Sequence, residues 1–213
     1  MNLKIMTFNT QHCKNYITNK IDYNEIINLI NKYNPDIIGL NEIYSFQLKK
    51  LAKELKYKYY FSKSMIIYGN GILSKYDINN ANTIKIPNKF YKEKRAILSC
   101  NINIDNKVLN LYVTHLGLDN NKEFEIHTLI SNTIKNNTII LGDFNIHSDS
   151  NFLKPLERYF VDTSNKNYHT YPSFDPKYKL DYIFASKDIK TISSNVLDDI
   201  VSDHKAIITK IKI

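Results

Sequence analysis

The chain has 213 residues, is 43% hydrophobic and 23% charged, and carries a formal charge of +8 from 29 Lys and Arg against 21 Asp and Glu. These are ordinary values for one large globular domain, and no low-complexity tract or linker interrupts them. No stretch reaches the roughly 18 consecutive apolar residues of a membrane helix, and the N-terminus reads as a strand rather than a signal peptide, so a cytoplasmic monomer is expected.

Residues 3–8 alternate as a strand and end at Asn9. A polar loop carrying Cys13 follows; with Cys100 it matches no metal-ligand spacing, and both are expected as free thiols. Asp22-Tyr23-Asn24-Glu25 has the form of a capping box, opening a helix with Ile26, Ile27, Leu29, Ile30 and Tyr33 on one period and closing at Asn34-Pro35. Residues 36–40 form a buried strand that delivers Asn41 and Glu42. Ser45 is placed to cap a second helix whose buried face is Phe46, Leu48, Leu51 and Leu55. Residues 57–86 read as short strands, with Gly69-Asn70-Gly71 as a turn.

Residues 95–104 and 108–113 form a hairpin through Asp105-Asn106-Lys107, and its second strand delivers Thr114 and His115. A helix over 121–135 leads into Thr138-Ile139-Ile140-Leu141, an apolar run that stops at Gly142 and reads as a strand buried on both faces. Asp143 and Asn145 follow, two positions apart and thus on one side of an extended segment. A short helix over 151–158, an irregular stretch over 163–179 and three strands (180–185, 189–196 and 204–211) complete a single α/β domain spanning 1–213, rich in antiparallel pairing.

The polar residues follow a pattern. Asn9, Glu42, His115, Asp143 and Asn145 each end an apolar run, whereas Asp181 and His204 open one. Antiparallel pairing brings strand ends beside strand starts, so these groups share one rim. Each alone has a plain structural explanation, such as a strand-ending amide or a surface acid; their joint placement points to a site. Carboxylates and amides of this kind suit a hard divalent cation, which takes oxygen ligands. Glu42 is the best ligand candidate, with Asn9 and Asp203 in support. Asp143 is placed to orient and deprotonate water, with Asn145 holding that water or a phosphate oxygen. Asp181 fixes His204, which donates to the phosphate, and His115 is a second donor. The chemistry these residue types support is metal-assisted phosphoester hydrolysis.

Seven pieces in order, Met6-Thr7-Phe8-Asn9, Ile37-Ile38-Gly39-Leu40-Asn41-Glu42, Lys94-Arg95-Ala96-Ile97-Leu98, Thr114-His115-Leu116-Gly117-Leu118-Asp119, Gly142-Asp143-Phe144-Asn145, Leu180-Asp181-Tyr182-Ile183-Phe184 and Ser202-Asp203-His204, resemble the endonuclease/exonuclease/phosphatase superfamily almost end to end. The resemblance implies a four-layered α/β/β/α sandwich of two mixed, mainly antiparallel sheets flanked by helices. It also implies a metal-dependent hydrolase using Mg²⁺, with Mn²⁺ as the alternative. Glu42 is then the principal metal ligand, with Asn9 and Asp203 near the metal, Asp143 and Asn145 with the nucleophile, and Asp181 paired to His204. Arg95, one of few arginines in a lysine-rich chain, reads as a phosphate contact or a structural ion pair. Asn41 stands where many relatives have Gln, and Lys179 where Arg is common.

The substrate is less defined. The Thr114–Asp119 piece resembles phospholipid- and glycolipid-directed relatives at least as much as nucleases. A small-molecule or lipid-headgroup phosphodiester is therefore favoured, with nucleic acid as the alternative. Asn88-Lys89-Phe90-Tyr91-Lys92-Glu93-Lys94-Arg95 interleaves aromatics with cations, as a strand-binding loop does, although a solvated hairpin edge explains it more simply. A non-catalytic phosphate-binding protein is the reading from another class.

Overall fold

The computed structural model describes residues 1–64, 67–87, 94–118 and 121–213. Residues 88–93 of the aromatic and lysine stretch, and Asp119, lie outside the described residues. In chain order the elements are β1 (Asn2–Asn9), α1 (Tyr23–Tyr33), β2 (Ile37–Tyr44), α2 (Ser45–Leu55), β3 (Lys58–Lys63), β4 (Tyr68–Ser74), β5 (Asp77–Ile86) and β6 (Arg95–Ile104). They continue with β7 (Lys107–His115), α3 (Lys122–Thr133), β8 (Thr138–Asp143), α4 (Lys154–Glu157), β9 (Phe160–Asp162), β10 (Asp181–Ser186), β11 (Lys190–Val196) and β12 (Ile207–Lys212).

These strands form two six-stranded sheets, ordered β11-β12-β1-β2-β4-β3 and β5-β6-β7-β8-β10-β9. Alternation sends side chains of one strand to opposite faces. In β1, Leu3 and Ile5 meet Leu111, Leu141 and Ile183 of the facing sheet. Met6 and Phe8 turn outward and pack beneath α1 and α2 with Ile26, Ile30, Leu48 and Leu51. On the other sheet's outer face, Ile140, Phe144, Tyr182 and Phe184 pack under Ile126 and Leu129 of α3 and Leu156 of α4. The layers are helix, sheet, sheet, helix, as the resemblance implied. The sheets approach closely where Gly39 faces Leu141: an added Cβ would lie 1.9 Å from Leu141 Cδ1.

Both sheets are built around one parallel pair. β1 and β2 run parallel with α1 between them, and β7 and β8 run parallel with α3 between them. Every other pairing is antiparallel. A parallel connection needs a crossover long enough for a helix, and α1 and α3 supply it for these two adjacent pairs.

Several local expectations change. Gly69-Asn70-Gly71 is not a turn but lies inside β4, where Gly69 pairs with Lys63 and Gly71 with Phe61. The glycines are needed for approach: a Cβ at Gly69 would sit 2.1 Å from the Ser62 carbonyl oxygen. α2 is capped at Tyr44, whose backbone N–H donates to Gln47 Oε1 at 3.0 Å, rather than at Ser45. Phe46 is exposed, and Gln47 and Ala52 complete the buried face instead. Asp22 caps α1 by accepting from Asn24 and Glu25 N–H, but the Glu25 carboxylate turns to Asn15 Nδ2 instead of closing a box. The predicted helix over 151–158 is a 3-10 turn followed by the short α4. β9, three residues long, was not signalled by any alternation. β12 starts three residues after His204, which sits in the turn before it.

Candidate active site

Parallel pairing aligns Asn9 with Asn41 and His115 with Asp143, so the C-terminal ends of all four central strands reach one edge. β10 runs the other way and places its first residue, Asp181, opposite Asp143. The turn before β12 arrives at the same edge because β12 is antiparallel to β1. There Glu42, Arg95, His115, Asp143, Asn145, Asp203 and His204 line a cleft of about 270 Å³. Asn9 and Asp181 stand behind it, linked to the lining by hydrogen bonds.

Asp143 is the hub. Its Oδ2 accepts from Asn9 Nδ2 at 3.0 Å and its Oδ1 from the Asn145 N–H at 2.9 Å. The same Oδ2 lies 3.5 Å from His115 Nε2 and 3.7 Å from His204 Nε2. Burial, followed by the nearby Asp181 carboxylate, pushes its pKa up to about 7, against the opposing pull of His204 and its hydrogen bonds. Asn145 does share the cleft with Asp143, by a turn rather than by strand extension. β8 ends at Asp143, and Asn145 takes a left-handed conformation (φ 49°). Its Nδ2 donates to the Leu116 carbonyl at 3.0 Å and lies 3.2 Å from His115 Nε2. Gly142 (φ 138°) makes the approach possible, because a Cβ there would lie 1.9 Å from the Thr114 carbonyl oxygen.

The surroundings push the two histidines in opposite directions. His204 Nδ1 lies 2.8 Å from Asp181 Oδ2. Burial alone would lower its pKa, but the Asp181 charge and hydrogen bond, with Asp143 and Asp203, push it up to about 10. His115 is buried among Arg95, His204 and Lys122, and burial followed by those cations holds it well below its ordinary value. One cleft thus carries an imidazolium and a neutral imidazole at neutral pH, a separation of roles set by environment. Tyr171 packs its ring against His204 at 4.8 Å.

Glu42 is re-aimed by a β-bulge. The register of β2 against β4 shifts between Leu40 and Ile43, and Glu42 adopts φ 50°. Bulges beside active sites turn a side chain in this way, and a left-handed glutamate costs on the order of 1 kcal/mol, which the surroundings must over-determine. Its Oε1 lies 3.4 Å from Asn9 Nδ2 and 3.9 Å from His115 Nε2, and its Oε2 lies 3.7 Å from His12 Nε2. Asn9 presents Nδ2 to both carboxylates, while its Oδ1 accepts from the Gln11 N–H at 3.1 Å.

A hard divalent cation fits the Glu42 side of the cleft. Glu42 and Asp203 are partly exposed there and offer carboxylate oxygens. Asp143, Asp181 and His204 also converge, with one donor atom from each lying within 4.8 Å of the others. Their imidazole and one oxygen of each carboxylate already face one another, whereas Glu42 and Asp203 offer partly exposed oxygens, which suit an oxygen-seeking ion better.

Sequence reasoning noted Asn41 only as a departure from the glutamine of many relatives and missed the rest of a set of supporting amides and charges. Asn41 Oδ1 accepts from the Asp143 N–H at 2.9 Å, and its Nδ2 donates to the Thr114 carbonyl and to Asn70 Oδ1, each at 2.9 Å. Asn70 in turn donates to the carbonyls of Ala96 (2.8 Å) and Val113 (3.3 Å). Two side chains of one sheet thus bond four backbone groups of the other. Lys122 Nζ donates to the Gly117 and Phe144 carbonyls, and the Glu125 carboxylate accepts from the Gly117 N–H at 3.0 Å, holding the loops that follow β7 and β8. The only sequence signal for these was charge at helical positions beside a motif. Lys179 is buried and tied to Asp162, so it anchors the loop before β10. Both cysteines are free, as expected, and burial pushes each thiol up to about 12.

A family model described as Endonuclease/Exonuclease/phosphatase family matches residues 6–204. The chain belongs to that family. Solved structures share the family's fold at low sequence identity. An endonuclease/exonuclease/phosphatase family protein from Leptotrichia buccalis has TM-score 0.80 at 22% identity, covering 99% of this chain and 100% of that one. A Bacteroides thetaiotaomicron mannosyl-6-phosphatase has TM-score 0.84 at 16% identity, covering 99% and 100%. D. rerio TDP2 complexed with single strand DNA product has TM-score 0.75 at 15% identity, covering 100% and 99%. No curated protein matches the sequence. Among the described residues, no helix is long and apolar enough to cross a membrane.

Proposed function

We propose that this family member is a divalent-metal-dependent phosphoesterase that hydrolyses a phosphodiester by attack of water. The observation that carries the reading is Asp143, buried, raised to the neutral range and set between the Asn9-linked Glu42 and the imidazolium of His204. A carboxylate with a pKa near the working pH is suited to take a proton from water. Asn145, fixed by Leu116 and Asp143, orients that water. His204, held charged by Asp181, donates to the phosphoryl oxygen as negative charge develops, and Arg95 adds a cation to the same wall. His115 stays neutral and, through Nε2, aligns the Asn145 amide. Glu42 and Asp203, with Asn9 in support, would hold Mg²⁺ or Mn²⁺, and such an ion would offset charge on the phosphate and the leaving group.

Among the similar structures, a mannosyl-6-phosphatase and a complex with a single strand DNA product differ in substrate while sharing the frame. The alternative substrate is therefore nucleic acid, which the charge of +8 favours. A non-catalytic phosphate binder would not need Asp143 and His204 both retained and both perturbed.

The test is turnover of a chromogenic phosphodiester with Mg²⁺ or Mn²⁺, run beside plasmid, RNA and sphingomyelin-like lipid. A chelator should abolish it, and Asp143→Ala or His204→Ala should each lower kcat by on the order of 100- to 10,000-fold. Equal, metal-independent turnover by all three proteins would sink the proposal. Cleavage confined to nucleic acid, falling steeply with salt, would promote the alternative.

A further inference from the structure

The most exposed large apolar side chains among the described residues are Leu118, Ile17, Phe174, Phe46, Ile67 and Ile21, at 57–79% exposure. Five of the six stand on loops and Phe46 in the first turn of α2, all at the cleft edge of the sandwich. Ile17 and Ile21 belong to the loop after Asn9, which bonds back through the Tyr16 N–H to the Val201 carbonyl. Phe46 opens α2, directly beyond Glu42 and Tyr44. Ile67 precedes Tyr68, and Tyr68 and Leu118 line the cleft. Phe174 follows Ser173, whose N–H donates to the Asp203 carbonyl at 2.7 Å. The next most exposed, Ile134 and Val161, are 50% exposed and lie at the opposite end. Scattered apolar tips are ordinary on a protein surface, but their collection around one polar cleft is not.

Exposed lysines are interleaved with these tips. Lys20 adjoins Ile21, Lys49 lies one turn from Phe46 and shares a groove with it and Ile67, Lys63 pairs with Gly69 in β3–β4, and Lys94 precedes Arg95. We propose that this rim docks on an anionic phospholipid surface, so that the cleft acts on a phosphoester presented in the plane of the headgroups. The chemistry of the tips selects this partner. Four of the six are aliphatic and have no ring face on which a nucleobase would stack. They are spread around a polar cleft, with only Phe46 and Ile67 sharing a groove, rather than joined into the single apolar centre that a protein partner would bury. Short apolar tips flanked by lysines match shallow insertion below negatively charged headgroups.

This inference rests on the phosphoesterase reading for its substrate but not for its binding, and the two are tested separately. Binding is read by co-sedimentation of the full chain with phosphatidylcholine vesicles, with and without phosphatidylserine. The wild type and the inactive Asp143→Ala variant should bind the phosphatidylserine vesicles alike, with binding weakened by salt. Ile17→Ser and Phe46→Ser should each weaken binding by about tenfold while leaving the melting temperature and turnover of the soluble chromogenic phosphodiester unchanged. Val161→Ser, at the far end, should bind as the wild type does. Absence of vesicle binding by the wild type, or equal loss in Val161→Ser, overturns the proposal. Binding of a single-stranded oligonucleotide that Phe46→Ser abolishes, without vesicle binding, replaces it with a nucleic-acid surface. Vesicle binding without any hydrolysis would keep this surface and remove the catalytic reading.

Discussion

At the scale of single residues the sharpest contrast is between His204 and His115, one charged and the other neutral in the same cleft. The charge on His204 depends on Asp181, whose Oδ1 has no hydrogen-bond partner among the described residues and whose Oδ2 meets the imidazole. In Asp181→Asn the opposing effect of burial should dominate, and the His204 pKa, followed by NMR, should fall from about 10 to below 6.5. Stability should follow the same linkage. A raised imidazole pKa stabilises the fold fully below pH 6.5, and that contribution is lost as pH rises through about 10. The wild type should therefore exceed the variant by on the order of 3 kcal/mol at low to neutral pH, with the gap closing above pH 10. An unchanged pKa in the variant would show that Asp181 does not set the charge. The histidines and acids were legible in the sequence because each interrupts an apolar run with a side chain that needs a partner. Asn41 and Asn70 were not, because the groups they bond belong to the other sheet and are distant in sequence.

At the scale of elements, β4 shows why. Gly69-Asn70-Gly71 has turn composition, yet its glycines are set by the close passage of β3 and by Leu48 of α2, and its asparagine by the sheet opposite. Local composition signalled a bend where tertiary packing required small residues and one buried amide. Asn70→Ala should leave the Ala96 carbonyl and the Asn41 amide short of a partner, costing about 2–3 kcal/mol in urea unfolding. A loss under half a kilocalorie would mean that water replaces the amide. Gly142→Ala should do more harm, since its Cβ cannot coexist with the Thr114 carbonyl unless β7 and β8 separate where the site is built. Elements with strong periodicity, β1, α1 and the β6–β7 hairpin, were read close to their observed bounds. β9 was not, because three residues are too few to show an alternation.

At the scale of the whole molecule, the two sheets repeat one plan, a parallel pair with a helical crossover flanked by antiparallel strands, although the residues show no repeat. The central strands β1, β2, β7 and β8 are buried on both faces, whereas β5 and β11 are largely exposed sheet edges. Hydrogen exchange should be slowest in the central strands and fastest in β5 and β11, the order expected when local opening follows burial; protection of β5 equal to that of β8 would contradict it.

Four of the contacts that define the cleft cross between the sheets: Asn9 to Asp143, Asn41 to the Asp143 N–H, Glu42 toward His115, and the turn carrying His204 to Asp181. Neither sheet owns a site by itself. A phosphate analogue bound across that seam would therefore act as a clasp, adding its binding free energy to the adhesion of the two halves. The candidate site would then also be the gauge of whether the molecule's halves are closed.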